Sequence, residues 1–529
     1  MNEKIMKVSA IACAGLLVLS GCGKKTDSVV SGNLDFTGYP IKTEEKLTYW
    51  VKQNTALSTY IDNIGKSNFA QKLKEKTGVE IEYIHPAAGQ EATSLSLLVA
   101  SGQMPDMVEF QWTTYNNGGA AKSLKEKIIL PLNELIEKNA PNLKKYLSEN
   151  PDVDKMVKTA KGQYYVFPFI RGDKRLLIST GTMIRKDWLD ELGMDMPKSI
   201  DDLEIVLKAF KEKKGADKPL CFTPYSMDIF FGNFSAAGAF YLDGDRVAYG
   251  PLSSNYESAI RTMHKWYDEG LLDPNFVSVD NAALDTNVLS GKTGVTVASG
   301  GGNLGTWLDN KAKTGEKFDM QGMPFTSLKS GEKNTYYNID SKYPGSCSVA
   351  ITSSCKNPSL AARYLDYGYS EEGGILYNYG TEGESFEIKD GEYIYNDNIY
   401  NNPDGMTVSQ AMGYYFKSSV GGPFVQQRGY IDQYYFRPQQ QKTLDAWISE
   451  YDDVQPNVLP PIAMTEEEST EYASIMNEVK KYVSVSRTGF INGTVSLDKY
   501  DEFKQELKNL KIDRAIEIQQ AAYDRYKNN

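Results

Sequence analysis

Three short runs near the start of the chain decide its fold: Lys46–Val51 (KLTYWV), Val79–Ile84 (VEIEYI) and Asp106–Phe110 (DMVEF). The first two are rich in β-branched and aromatic residues, and VEIEYI alternates as a half-buried strand does. Between them, Tyr60–Thr77 places Ile61, Ile64, Phe69 and Leu73 at helical spacing and stops at Gly78, a residue suited to a left-handed helix end. Thr93–Ala100 supplies a second helix before the third run. This βαβαβ order predicts a parallel sheet flanked by helices.

A second α/β unit begins near Arg171. Leu176–Ile184 reads as a strand and Lys186–Leu192 as a helix ended by Gly193. Ser199 and Asp202 have the form of a capping box opening a helix to Lys214. Tyr256–Glu269 is helical. Thr293–Ala298 is a strand running into a glycine loop, Ser346–Thr352 a further strand and Ser359–Tyr369 an amphipathic helix. Tyr393–Pro461, rich in Tyr, Asn, Gln and Pro, shows no assignable pattern. The C-terminus reads as helices over Glu466–Val485, Asp498–Leu510 and Asp513–Tyr526. The fold class is therefore α/β.

Composition narrows the function. Among 529 residues, 58 Lys and Arg face 69 Asp and Glu, a net charge of −11. That balance argues against nucleic-acid binding, which draws its affinity from basic residues on phosphate. Only two histidines occur, His85 and His264, so His-rich metal sites are excluded and Ser-His or Cys-His catalysis has few candidates. The 35 Tyr and 20 Phe suit a protein that stacks against a ligand.

The N-terminus has the form of an export signal. Lys4 and Lys7 precede a short apolar run, Val8–Leu19, followed by Leu19-Ser20-Gly21-Cys22. This resembles a bacterial lipobox, with Cys22 as the lipidated residue. Residues 1–21 are then a signal peptide and 22–44 a flexible tether. Loss of Glu3, Lys4 and Lys7 leaves 56 basic against 68 acidic residues, a mature charge of −12. Cys221, Cys347 and Cys355 remain. Pairing of Cys347 with Cys355 and three free thiols are both open, and no CxxC spacing points to zinc.

The ordered segments resemble the family 1 extracellular solute-binding proteins of bacterial ABC importers, the relatives of maltose-binding protein. EKLTYW (45–50) with TGVEIEYIHP (77–86) is similar to the family's opening, and ASGQMPD (100–106) to its small-Gly-x-x-Pro-Asp signature. MIRKD (183–187) resembles the entry to the second lobe, and GSCSVAIT (345–352), NPSLAARYL (357–365) and SEEGG (370–374) the return to the first. GFING (489–493) and AAYDRY (521–526) resemble the larger lipoprotein subgroup. The resemblance implies a two-lobed periplasmic-binding-protein-like fold of type II, with ligand in the cleft. First-lobe segments are expected at 45–168 and 336–385, a second-lobe segment at 169–335, and second-lobe and helical cover at 386–529. It implies a lipid-anchored protein on the extracellular face of the cell membrane, acting as a monomer. It would capture an oligosaccharide by hinge closure and pass it to ABC permease subunits. No cofactor, metal or catalytic residue is called for. Larger relatives often carry a calcium loop after the helix equivalent to Leu203–Phe210, but KEKKGADK (211–218) here lacks alternating oxygen ligands.

Ligand-binding candidates are aromatic and planar polar residues in loops after strand ends. Trp112, Tyr115 and Asn116 follow the third strand, and Gln53 and Asn54 follow the first; Trp50, inside that strand, is expected in the core. Trp112→Ala is expected to weaken sugar binding with little change in melting temperature. Gly300, Gly302 and Gly305 form a GxGxxG, but it lies too late in the chain for a dinucleotide fold, and Trp307 beside it is the candidate. Arg171, after the crossing run Tyr164–Phe169, suits either a ligand or an interlobe ion pair. Tyr379 and Glu382 lie in a Gly-rich passage. Tyr225, Phe230 and Phe231 read as core. Two other functions stay open. A secreted glycosidase needs two carboxylates about 5 to 9.5 Å apart, which no motif places. A sensing or adhesion lipoprotein would bind without transport.

Overall fold

The opening strand, Lys46–Trp50, lies between two parallel neighbours, because each returns through a helical crossover. It pairs with Glu80–Ile84 from Lys46↔Glu80 to Trp50↔Ile84, and with Met107–Phe110 through Tyr49↔Met107 and Trp50↔Val108. The late strand Ser348–Ile351 closes the sheet antiparallel to Met107–Phe110. The structure is a computed structural model and describes residues 38–417 and 421–528. The expected signal peptide, Cys22 as the expected lipidation site and most of the expected tether lie outside the described residues.

Local chemistry sets the first crossover. The expected helix from Tyr60 begins only at Asn68, because Asn63 and Ser67 turn their side chains onto nearby backbone N–H groups and break the chain into a short turn first. The helix Asn68–Thr77 ends at Gly78, whose φ is 74°. A Cβ there would lie 2.2 Å from the Ile41 carbonyl oxygen, so only glycine fits.

In the second lobe, Thr180–Arg185 pairs antiparallel with both Val295–Ser299 and Met320–Gly322. Leu220 lies parallel beside Leu272 and Val295. The capping box of Ser199 and Asp202 starts the helix Ile200–Lys214 as expected. A large core joins Leu203, Phe210, Phe230 and Trp266 to Val479, Phe490 and Phe503 of the C-terminal helices. Those helices, Glu466–Ile491, Tyr500–Asn509 and Ile512–Asn528, therefore bury their apolar faces on the second lobe.

The crossings are short. Ile170–Arg171 pairs in parallel with Val425–Gln426, Phe167 bridges Val349, and the buried hydroxyls of Tyr165 and Tyr343 meet at 2.9 Å. Residues without assignable sequence pattern form a separate aromatic cluster in which Tyr379, Phe386, Tyr395, Phe416, Tyr430 and Tyr435 surround Leu176 and Leu444. Its helix Val408–Tyr415 packs on Thr55–Ser58 of the first lobe, and its helix Pro438–Ile448 packs on Met320–Gly322 of the second. Of the cysteines, 221, 347 and 355 are free thiols, so the open question of a Cys347–Cys355 bridge is answered against it.

Candidate functional site

The carboxyl ends of parallel strands are where an open α/β sheet presents its loops to a ligand. The first lobe has such an edge, and in the second lobe the parallel bridges of Leu220 to Leu272 and Val295 give a shorter counterpart. In the first lobe, Gln53 donates through Nε2 to the Ile61 carbonyl at 2.8 Å, which pins the loop after the first strand. Asn54 caps the short helix Thr55–Ser58, accepting from the N–H groups of Ala56 and Leu57. Both side chains are half-buried.

After the third strand the chain turns inward. Trp112 is only 1% exposed. Its indole N–H donates to the Val108 carbonyl at 3.2 Å, and Phe110 and Tyr115 meet the ring edge-on at 6.3 and 5.5 Å. Trp112 therefore packs as core, with no open face in this arrangement of the chain. Tyr115 stays half-buried, and Asn116 is exposed with a left-handed φ of 56°, its Nδ2 donating to Glu126. An Asn is among the few non-glycine residues that take this conformation readily.

The second-lobe edge divides the other way. Trp307 is fully buried and its indole N–H donates to Asp285 at 2.7 Å. The preceding glycines serve ring packing: a Cβ on Gly300 would lie 2.7 Å from the Tyr435 ring, and one on Gly301 2.4 Å from Tyr434. Tyr225, which the sequence pattern groups with the core residues Phe230 and Phe231, is 86% exposed while those two are fully buried. It lies in the turn Pro224–Ser226, five residues after Leu220, which bridges Leu272 and Val295 in parallel. The signal in the sequence was an apolar run stopped by proline, with an aromatic directly after it. Asp228, three residues on, is ion-paired with Arg487 of the C-terminal helix.

The remaining candidates lie near the crossings. Arg171 is buried against Asp340, the ion-pair alternative of its two readings. Tyr379 is 5% exposed among Phe386, Tyr393 and Tyr395, and burial pushes its hydroxyl up to about 12. Glu382 is exposed beside the hairpin that starts at Phe386. The two histidines are structural: His85 Nε2 accepts from the Ile64 N–H while Nδ1 meets the Val51 carbonyl, and His264 meets the Ile491 carbonyl. Burial holds His85 below the usual imidazole range. Lys211 donates to the Glu269 carbonyl, Lys214 pairs with Glu191, and Lys218 lies 3.1 Å from the buried Asp273. Lysine ammonium groups thus tie down residues 211–218, the last turn of the helix Ile200–Lys214 and the short loop after it. Among the described residues no group of three or more His, Cys, Asp or Glu is placed to hold a metal, and no helix is long and apolar enough to cross a membrane. A hollow of about 290 Å³ between the first lobe and Met464–Glu466 is lined by Leu124, Pro131 and Thr159.

Residues 58–375 match the family profile described as bacterial extracellular solute-binding protein. The fructooligosaccharide ABC transporter substrate-binding protein FusA of Streptococcus pneumoniae serotype 4 is 28% identical, over 99% of this chain and 98% of that one. Lipoprotein LipO of Bacillus subtilis is 26% identical over 62% of this chain and 66% of its own length. Among solved structures, alginate-binding protein AlgQ2 without calcium ion superposes with a TM-score of 0.73 at 24% identity, covering 90% of this chain and 98% of that one. FusA in complex with kestose gives 0.72 at 23% identity, covering 92% and 100%. With more than half of its length inside the profile and the two-lobed architecture of these neighbours, the chain belongs to the bacterial extracellular solute-binding protein family.

Proposed function

We propose that this chain is a lipid-anchored receptor that captures an oligosaccharide between its lobes and delivers it to the permease subunits of an ABC importer, without chemistry of its own. One observation carries the reading: the parallel strands of the first lobe end in polar loops, and in the second lobe, shortly after Leu220 bridges Leu272 and Val295 in parallel, the chain raises a nearly free aromatic ring, Tyr225. A sugar offers a C–H face to such a ring and hydroxyls to the surrounding amides and carboxylates. Gln53, Asn54, Tyr115 and Asn116 would serve the first-lobe side, and Tyr225 the second. Arg171, Tyr379 and Glu382 would act near the crossings, the first two as support. The near full-length relation to FusA, a fructooligosaccharide transporter component by name, supports the sugar class. Cys22 would carry the lipid, and the mature protein would act as a monomer.

Short crossings such as Ile170–Arg171 beside Val425–Gln426 are where the lobes would rotate on closure. A thermal-shift screen against oligosaccharides, followed by chromatography of the recovered sugar, tests the reading. A saturable shift with unchanged sugar is expected. Catalytic release of shorter products would overturn it.

A further inference from the structure

The charges around the strand edges and crossings select among sugars. The sequence has eleven arginines, at 171, 175, 185, 246, 261, 363, 428, 437, 487, 514 and 525. Every one lies within 4.0 Å of an Asp or Glu carboxylate. Each guanidinium therefore already has a carboxylate neighbour, loosely so for Arg246, which is 83% exposed and 3.7 Å from Asp243. Of the nearby lysines, Lys417 lies 3.2 Å from Glu109 and Lys52 2.8 Å from Glu91.

The orientation of the pairs matters more than their number. Beside Tyr225, the Arg487 side chain is 15% exposed and its partner Asp228 47%. At the crossing, Arg171 is 10% exposed and Asp340 47%. Asp309, on the helix Gly302–Thr314 after the glycine turn, is 52% exposed, and Arg437, at the start of the helix Pro438–Ile448, is 20% exposed. In each case the cation lies underneath and the carboxylate faces outward. The surface offered to a ligand is therefore negative, and its acceptors are fixed from below.

Resting on the oligosaccharide reading above, we propose that the ligand is an uncharged oligosaccharide whose hydroxyls are taken by these arginine-backed carboxylates, Asp228 and Asp340 first, and that uronic-acid oligomers are shut out. A hydroxyl donating to a carboxylate makes a charge-assisted hydrogen bond. A uronate would need a fork of guanidinium donors. Arg487 and Arg171 lie underneath their partners, so an incoming carboxylate would first meet the like charge of Asp228 or Asp340. Arg487 comes from the helix Glu466–Ile491, beyond the matched stretch 58–375, so the C-terminal cover positions the second-lobe acceptor.

Calorimetry on the full-length chain separates the cases. One panel holds neutral oligosaccharides (kestose, nystose, raffinose, maltotriose, cellotriose) and the other trigalacturonate and trimannuronate. The expected result is binding within the neutral panel only. Neutral affinity should change less than about twofold between about 0.05 and 0.5 M NaCl, since no ion pair forms with the ligand. Asp228→Asn should weaken the bound neutral sugar about tenfold or more, with a melting temperature close to that of the parent. Arg487→Lys, which keeps the charge, should weaken it less than Arg487→Met. Uronate binding as tight as the best neutral sugar, or unchanged affinity in Asp228→Asn, would overturn the proposal while the receptor reading stands. Binding by neither panel would overturn both.

Discussion

The loops at Trp112 and Tyr225 make an instructive pair. Both come shortly after a residue paired in parallel: Trp112 lies two residues past the strand Met107–Phe110, and Tyr225 five residues past Leu220, which bridges Leu272 and Val295. Yet Trp112 is 1% exposed and Tyr225 86%. The difference lies in what fills the space beneath. Under the first loop the Val108 carbonyl is free to accept the indole N–H, and Phe110 and Tyr115 supply edge contacts, so the tryptophan turns in. Under the second, Met227, Phe230 and Phe231 already occupy the core, and the turn begun by Pro224 leaves the tyrosine outside. Position after a strand brings a residue to the edge of a cleft. Competition for core volume decides which way it points.

The comparison can be broken most sharply at Trp112. Trp112→Ala should cost about 3 to 5 kcal/mol of stability, the reverse of the outcome the sequence pattern favours. Urea unfolding measures it, and sugar affinity of the folded fraction should hold. Tyr225→Ala should do the opposite: about 10- to 30-fold weaker sugar binding by calorimetry, with a urea midpoint shifted only slightly, as for an exposed site. If Trp112→Ala lost affinity at constant stability, the two loops would exchange roles.

A buried acid in each lobe gives a smaller contrast. Burial pushes the Asp366 carboxyl in the first lobe up from 3.8 to about 6, although the backbone N–H groups of Leu143 and Asn142 oppose it. At Glu204 in the second lobe, burial also raises the carboxyl, but Lys208, Lys265 and the Trp266 indole outweigh it and hold it near 2, below the usual 4.5. The signs differ. The folded protein holds the Asp366 proton more tightly than the unfolded chain, so this group's contribution falls as pH rises from about 4 to about 6. Glu204 adds stability above about 4.5, lost as pH falls toward about 2. Urea midpoints across that range should show Asp366→Asn flattening the upper slope and Glu204→Gln the lower one. The smallest effect is expected at residues 211–218, where the helix Ile200–Lys214 ends. With Lys214 and Lys218 already paired to carboxylates, EDTA or added calcium should move the melting temperature by less than about 1 °C.

Much of the backbone was legible because its signals are local. Gly78 and Gly193 take the left-handed conformations their positions require, and the Ser199–Asp202 box opens the helix where the pattern puts it. Strand boundaries in the first lobe fall within a residue or two of the apolar runs. The aromatic module around Tyr379 was not legible, because its order comes from rings packed across segments far apart in sequence, such as Tyr395 on Phe416 and Leu176 against Leu444. The antiparallel pairing of Thr180–Arg185 on both sides is likewise a matter of tertiary partners, to which a strand pattern is blind.

By itself, then, the sequence determined the alternation of strands and helices, the acidic balance, the scarcity of histidine and the membership of a binding family, since these depend on residues close together or simply counted. Tertiary structure decided which aromatic faces outward, that the expected stacking tryptophans Trp112 and Trp307 are filled in, and that the outward carboxylates of Asp228 and Asp340 each have an arginine beneath them. Those outcomes depend on which groups, distant along the chain, compete for the same volume and the same charge partner.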